Sequence, residues 1–156
     1  MKGMNDLIAE HDLFAGLARS TVSLLGGCAR NEVYAAGERL FSEGEPADCF
    51  WLIRHGRVAI EVASAGVGQV IIETVGAGDV VGWSWLVPPY KWHFDAVAQT
   101  RTRTTVFDVR CVRTKLDADP GLGYELMSRF LPIVVDRLQA TRLRLLDLYG
   151  TVSARV

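Results

Sequence analysis

The residues whose types and spacing suit ligand binding lie in a glycine-punctuated segment, 78–98. Gly78 and Gly82 flank a short apolar strand, and an aromatic loop follows before a second strand over 94–98. Such a cassette typically cradles a small anion, because glycine lets the backbone approach a ligand closely. Here, however, residues 83–94 hold three of the chain's four Trp, and Lys91 is their only Lys or Arg. The glycine spacing therefore predicts a ligand pocket, whereas the side chains of the aromatic loop do not favour phosphate.

Aromatic and polar side chains of this loop are the first candidate ligand contacts. Aromatic rings suit a flat or apolar ligand, which backbone amides and a few polar groups would orient. Two other interpretations stay open: the aromatics fill the interior themselves, leaving a ligand-free interaction module, or a cyclic nucleotide or dinucleotide binds in an unusual pose. The candidates are Gly82, Trp83, Ser84, Trp85, Leu86, Tyr90, Trp92, His93 and Phe94.

Composition limits the class of protein. A chain of 156 residues, 49% of them hydrophobic, forms one domain with a substantial core. The net charge of -1 gives no global attraction to nucleic acid or to an anionic membrane. The N-terminal residues lack the apolar core of a signal peptide, and no apolar run approaches the roughly 20 residues of a membrane span, so we expect a cytoplasmic protein. A basic run is most simply a solvated face: Arg101, Arg103, Arg110 and Arg113.

The cysteines do not suggest a covalent framework. Cys28, Cys49 and Cys111 are odd in number, far apart and without Cys-x-x-Cys spacing. This pattern favours neither a disulfide framework nor a zinc site. We therefore expect three reduced thiols, buried as small hydrophobic groups.

Neither metal nor catalytic chemistry is indicated. His11, His55 and His93 are scattered and form no His-x-His pair, so they do not supply metal-ligand spacing. A single His93 among aromatics is more typical of a hydrogen-bonded pocket residue than of a haem ligand. The GWSWL sequence around Ser84 ends in Leu where a hydrolase elbow has Gly, so no catalytic residue is predicted and the chain is not expected to be an enzyme.

The apolar periodicity changes twice along the chain. Mixed spacings of three and four predict two short helices within 6–29, and a helical pattern returns over 112–116. Asp119 and Pro120 then form a cap and first turn for a long helix. Between these helices we expect eight short strands, at 32–34, 39–41, 50–53, 57–62, 70–75, 79–81, 94–98 and 104–109.

These elements predict an α+β fold, an eight-stranded β-roll or jelly-roll barrel with short N-terminal helices and a long C-terminal helix. We expect a single domain over 1–156, with N-terminal helices in 1–30, the β-roll in 31–110 and C-terminal helices in 111–150. The long helix carries apolar residues on more than one face, which predicts that one face covers the barrel and another meets the same helix of a second copy. The alternative is a broad helix that packs only on its own barrel. The predicted dimer seam is Leu126, Phe130, Val134, Leu138, Leu145 and Leu148.

Four motifs resemble a known family. They are LFAGL at 13–17, AGERLFSEGEPAD at 36–48, WLIRHGRV at 51–58 and GDVVG at 78–82. In this order they resemble the cyclic nucleotide-binding domain of the catabolite activator and protein kinase A regulatory superfamily, over residues 7–148. The resemblance implies the same β-roll and a role in regulation.

The same resemblance implies specific ligand contacts, two of which are replaced here. Family members that bind cyclic nucleotides have a Glu for the ribose after the glycine equivalent to Gly82, and later an Arg for the cyclic phosphate. This chain has Trp83 at the first position and Trp92 at the second. Since an unpaired buried phosphate is costly, the sequence argues against cyclic AMP in the usual pose. The segment with Arg137 and Thr141 resembles the part of the closing helix that contacts the base in some members.

The function expected from the sequence is a cytoplasmic small-molecule sensor or regulatory domain. Its partners are a second copy of the chain and a downstream protein, and its ligand is not specified. Transcription factors of the superfamily place a helix-turn-helix after the long helix, whereas this chain ends at Val156. We therefore expect no direct binding to DNA.

Overall fold

Short apolar runs separated by glycine turns form eight antiparallel strands. The computed structural model describes residues 1–153, with side chains through residue 150. The strands are β1 (Ala29–Tyr34), β2 (Arg39–Phe41), β3 (Cys49–His55), β4 (Arg57–Ser64), β5 (Gly68–Gly76), β6 (Val80–Val81), β7 (Asp95–Ala98) and β8 (Thr102–Asp108). They make two four-stranded sheets with the orders β1-β8-β3-β6 and β2-β7-β4-β5.

Helices flank the sheets at both ends of the chain. They are α1 (Met4–Ala9), α2 (Arg19–Gly26), a 3-10 helix (Ser84–Leu86), α3 (Val109–Ala118) and α4 (Pro120–Ser153). The predicted fold, a β-roll with short N-terminal helices and a long C-terminal helix, is confirmed. Within the described residues, no helix is long and apolar enough to cross a bilayer.

Two aspartates define how the C-terminal helices begin. The carboxylate of Asp108 accepts a hydrogen bond from Cys111 N at 3.0 Å and caps α3, so the last strand ends one residue earlier than predicted. The helix predicted over 112–116 is the middle of this longer α3. Asp119 accepts from Leu122 N at 3.2 Å, which confirms the predicted cap of α4.

An aromatic stack forms the centre of the core. Phe107 lies between Phe14 and Phe50, at centroid distances of 5.3 and 4.7 Å. Phe50 stacks in turn on Trp85 at 5.3 Å. Phe130 meets the edges of both Phe50 and Trp85, at 5.3 and 5.5 Å. The stack thus joins the N-terminal segment, the first sheet, the 3-10 helix and α4.

The first half of α4 packs on its own domain, which corrects part of the predicted dimer seam. Leu126 and Phe130 are each only 1% exposed, because they insert into the core beneath the sheets. The remaining predicted seam residues line a cavity described below: Val134, Leu138, Leu145 and Leu148. Other apolar residues of the helix are left exposed, namely Leu131, Val135, Leu143, Leu146 and Tyr149.

The prediction of three reduced cysteines is wrong for two of them. Cys28 and Cys111 form a disulfide, with their Cα atoms 5.5 Å apart, and Cys49 is free. Cys28 immediately precedes β1, which pairs with β8, and β8 leads directly into α3 and Cys111. The pair is 83 residues apart in sequence, so only this strand pairing brings the sulfurs together.

One turn has a strict requirement for glycine, which gives a test of the fold. Gly56 has φ of 98°, and a Cβ there would lie 2.5 Å from the Arg101 carbonyl oxygen. Gly66 has φ of 78° with nothing within 4 Å, so it is a matched control for the backbone conformation alone. We expect Gly56→Ala to lower the free energy of unfolding by about 3 kcal/mol or more, and Gly66→Ala by about 1 kcal/mol. Urea unfolding measures both values, and equal losses would contradict the predicted clash.

Candidate ligand-binding site

Gly82 sets the path of the backbone where the cassette leaves β6. Its φ is 94°, in the left-handed region that favours glycine. A Cβ at this position would lie 2.8 Å from Cη2 of Trp92. The indole of Trp92 therefore packs directly against the Gly82 backbone, and the chain continues through Trp83 into the 3-10 helix.

A cavity of about 590 Å³ lies between the second sheet, the cassette and the second half of α4. Most of its lining is apolar, which suits a ligand that buries hydrocarbon or ring surface. The cassette and β-roll contribute Phe41, Ile60, Ile71, Ile72, Glu73, Gly82, Trp83, Ser84, Trp92, His93 and Phe94. The α4 helix contributes Val134, Arg137, Leu138, Thr141, Arg144, Leu145 and Leu148.

Trp92 is buried at the inner end of this cavity. It is 4% exposed and stacks on Phe41 with centroids 3.9 Å apart. A second cavity of about 390 Å³ lies on the other side of these two rings, and both rings line it. Trp92 and Phe41 therefore form a wall inside the roll. At the position where the family resemblance implies an Arg, the chain has an apolar partition.

Arg137 connects α4 to the cavity's other walls. Its guanidinium lies 4.4 Å from the centroid of the Trp83 ring, and its Nε is 3.4 Å from Glu73 Oε1. It also donates a hydrogen bond to the Val80 carbonyl. Burial lowers the pKa of Arg137, and the charge of Glu73 opposes that effect. The arginine is thus committed to protein partners on β5, β6 and the cassette.

Three predicted contacts lie at the rim or on the helix wall. His93 and Phe94 are exposed residues of the loop, with Phe94 40% exposed. Thr141 faces the cavity from α4, and its hydroxyl donates to the Arg137 carbonyl at 2.9 Å. Asp95, which follows Phe94, holds the loop end in place by pairing with Arg39 at 3.1 Å.

Three other predicted contacts do not line the cavity. Trp85 is 1% exposed and belongs to the aromatic stack. Leu86 is partly buried against the same core. Tyr90 is 40% exposed and lies beneath the guanidinium of Arg113, 4.7 Å from the ring centroid. The 3-10 helix thus places Trp85 and Leu86 against the core, whereas Trp83 and Ser84 line the cavity.

Sequence reasoning missed part of the site. Ile60, Ile71 and Ile72 form the sheet wall, and the only signal was an apolar run on β5 that does not alternate with polar residues. Arg144 also lines the cavity and donates to the Ile72 carbonyl. Arg113 is not part of a solvated face, because it donates to the Trp85 carbonyl at 2.6 Å and supports the cassette from behind.

Charge around the cavity is unevenly placed. Arg137 and Arg144 are its only Lys or Arg side chains among the described residues, and both come from α4. The cassette itself contributes none, since Lys91 does not line the cavity. No group of His, Cys, Asp and Glu side chains that would suit a metal ion occurs in the part of the chain that the structure describes.

Comparisons with known proteins agree with this fold. A sequence model of the cyclic nucleotide-binding domain matches residues 31–119. The CRP-like cAMP-activated global transcriptional regulator of Mycobacterium tuberculosis is 26% identical over 159 residues, covering 98% of this chain and 67% of that protein.

Two solved structures are similar in fold. A cyclic nucleotide-binding domain from Methylobacillus flagellatus superposes with a TM-score of 0.78 at 23% identity, covering 92% of this chain and 81% of that one. The catabolite activator protein of Thermus thermophilus gives a TM-score of 0.68 at 22% identity, covering 88% and 62%. With the family match extending over more than half of its residues, this chain belongs to the cyclic nucleotide-binding domain family.

Proposed function

We propose that this chain is a sensory regulatory domain whose cavity binds a flat or apolar molecule rather than cyclic AMP in the usual pose. The observation that carries the proposal is the cassette wall, which presents Trp83, Trp92 and Phe94 to the cavity and no Lys or Arg. Aromatic faces bind ring systems and hydrocarbon well, whereas a phosphate needs charged or multiple hydrogen-bond donors.

The space that Trp92 occupies disfavours a bound phosphate, as the absence of Lys and Arg from the cassette wall does. Trp92 is buried against Gly82 and Phe41, so a phosphate at the inner end of the cassette would have to displace the indole. Arg137 does not compensate, because Glu73 and the Val80 carbonyl already hold its guanidinium. Binding a phosphate there would cost the ligand its hydration without a free charged partner.

The α4 helix supplies the output of such a sensor. Its second half forms one wall of the cavity, through Leu138, Thr141 and Leu145 among others. A molecule that fits the cavity in one helix position better than in another shifts the helix, and the shift is limited by the difference between its two affinities. Arg137 is the polar attachment that sets the helix position without ligand.

A second copy of the chain is the partner proposed for α4. Leu131, Val135, Leu138, Leu145 and Tyr149 stay at least 42% exposed and follow one another at spacings of four, three, seven and four. These are the a and d spacings of a coiled coil, with Arg142 at the one polar step. Leu138 and Leu145 also line the cavity, so the proposed dimer seam borders the ligand.

Ligand class is tested with N-phenyl-1-naphthylamine, an uncharged ring probe whose fluorescence rises in apolar surroundings. We expect Ile71→Asp to weaken its binding at least about tenfold, because a carboxylate in the sheet wall loses hydration when the probe binds. Val67→Asp is the matched control, since Val67 is on the same β4–β5 hairpin, is 74% exposed and does not line the cavity.

Cyclic AMP, a cyclic dinucleotide and haem form the competing arms of the same titration, with thermal shift as the second readout. We expect cyclic AMP neither to displace the probe nor to raise the melting temperature. Competition by cyclic AMP would overturn the proposed ligand class. If neither the probe nor any competitor binds, the ligand-free interaction module replaces the sensor.

Removing the arginine attachment should loosen the second half of α4. We expect Arg137→Ala to lower the free energy of unfolding by about 1–3 kcal/mol, since it leaves Glu73 without its partner beside an apolar cavity. Hydrogen exchange should increase in the α4 segment near residue 141. Asp136→Ala is the control on the same helix, because Asp136 is exposed and lies in neither the cavity lining nor the proposed seam. Similar effects of the two variants would show that Arg137 does not hold the helix.

Two equally exposed leucines on α4 provide a matched test of the proposed dimer seam. Leu131 and Leu143 are both 63% exposed on α4, but only Leu131 follows the a and d spacing. We expect Leu131→Glu to convert a dimer into a monomer and Leu143→Glu to leave it intact, because only the first places like charges across the seam. Sedimentation velocity distinguishes the species, and a wild-type monomer at all concentrations would refute the dimer.

A further inference from the structure

A lysine lies beside the disulfide. Lys115, one helical turn after Cys111 on α3, has its Nζ 3.3 Å from Cys28 Sγ and 3.3 Å from Cys111 Sγ. An ammonium group at this distance stabilises a thiolate when the bond is open, and the thiolate is the reactive form of cysteine. The pair therefore combines a bond that can be reduced with a group that activates its product.

We propose that Cys28 and Cys111 form a reversible redox modification site, in which Cys111 is the thiol that reacts first and Lys115 is its activating residue. Cys28 is the resolving thiol, which closes the bond from inside the domain.

The two sulfurs differ in access. Cys28 is 6% exposed, whereas Cys111 is only partly buried on the surface of α3. Cys111 also lies in the first turn of α3, where the helix dipole favours a negative charge. The carboxylate of Asp108, which caps this turn, opposes the dipole, so the Lys115 ammonium supplies the decisive local charge.

The chemistry is a balanced two-electron step with a peroxide as oxidant. The Cys111 thiolate attacks one peroxide oxygen, the O–O bond breaks, and the products are a sulfenic acid and, after protonation of the leaving oxygen, water or an alcohol. Cys28 then attacks the sulfenic sulfur, hydroxide leaves, and the proton released by the Cys28 thiol converts it to water. In the reverse direction two molecules of an external thiol reduce the bond by exchange and are oxidised to their own disulfide.

The third cysteine provides an internal contrast. Burial raises the pKa of the Cys49 thiol, and the nearby charge of Asp48 acts in the same direction. The nearest cation, Arg30, places its Nη2 4.0 Å from the sulfur. Burial and Asp48 thus oppose formation of the Cys49 thiolate, Arg30 only partly offsets them, and we expect Cys49 to react more slowly than Cys111.

Reduction of the Cys28–Cys111 disulfide would affect the ligand site through α3. The bond ties this helix to the start of β1, and Arg113, two residues after Cys111, donates to the Trp85 carbonyl at 2.6 Å behind the cassette. The α4 helix begins directly after α3 and Asp119. This consequence for ligand binding rests on the proposed function, whereas the redox chemistry itself does not.

Differential alkylation and mass spectrometry of the full chain in glutathione redox buffers test the site. We expect Cys28 and Cys111 to change from alkylated to disulfide-bonded together, while Cys49 is alkylated throughout. The oxidised form should melt about 5–10 °C above the reduced form, because the bond closes a long loop in the unfolded chain. A Cys28→Ser/Cys111→Ser variant should melt at one temperature in all buffers. A pair that stays reduced at the oxidising end, or oxidised at the reducing end, would overturn the proposal.

The order of reaction has its own test. After dilute hydrogen peroxide and dimedone, a sulfenic acid trap, we expect an adduct at Cys111 in Cys28→Ser and none at Cys28 in Cys111→Ser. Lys115→Met should slow the adduct's formation at least about tenfold, and Lys115→Arg should restore most of the rate. Equal trapping at both cysteines, or no effect of Lys115→Met, refutes the assigned roles. None of these readouts involves the cavity, so failure here leaves the proposed function standing.

Discussion

The aromatic stack of Phe107, Phe50, Trp85 and Phe130 is the contact on which the arrangement of the site depends. Each pair contributes about 0.5–1.5 kcal/mol beyond the area that it buries. Trp85 belongs to the cassette and Phe130 to α4, so their contact fixes two walls of the cavity against the same sheet. The cavity opens only beyond this contact, where α4 is no longer buried in the core.

The α4 helix is therefore held by two different kinds of interaction along its length. Leu126 and Phe130 are buried and cannot leave without exposing large apolar surface. Further along, the contacts are those of Arg137 and Arg144 with Glu73 and backbone carbonyls, beside a cavity. Polar contacts at a cavity edge cost less to exchange than core packing, so in the proposed sensor the second half of the helix is the part that a ligand repositions.

Most of the fold could be predicted from the spacing of glycines and the periodicity of apolar residues. The eight strands follow from short apolar runs between turn residues, and the Asp119 cap follows from its place before Pro120. Side-chain direction after a turn was harder to predict, because residue type gives no orientation. Trp83 and Trp85 are both aromatic and two residues apart, yet the 3-10 helix directs one to the cavity and the other to the core.

The disulfide between Cys28 and Cys111 could not be predicted from the sequence either. Cys28 and Cys111 meet because β1 pairs with β8, and no spacing rule contains that register. Two residues of the predicted dimer seam, Leu126 and Phe130, were misassigned because their apolar side chains suit either a partner helix or the chain's own barrel, and only the angle at which α4 packs distinguishes the two.

An aromatic wall at the position where the family resemblance implies an arginine changes which ligands the proposed site can distinguish. A buried arginine strongly favours ligands that carry an anionic group. It disfavours ligands without such a group, since the charge of the arginine would then be left unpaired. A wall of Trp92 and Phe41 stabilises bound apolar surface by about 25 cal/mol per Å² and is indifferent to its detailed chemistry. Shape must then provide the selectivity, and the walls that define the shape are the cassette held by Trp85 and the helix held by Arg137. In the proposed sensor, ligand specificity and helix position are consequently one property, because the same contacts determine both.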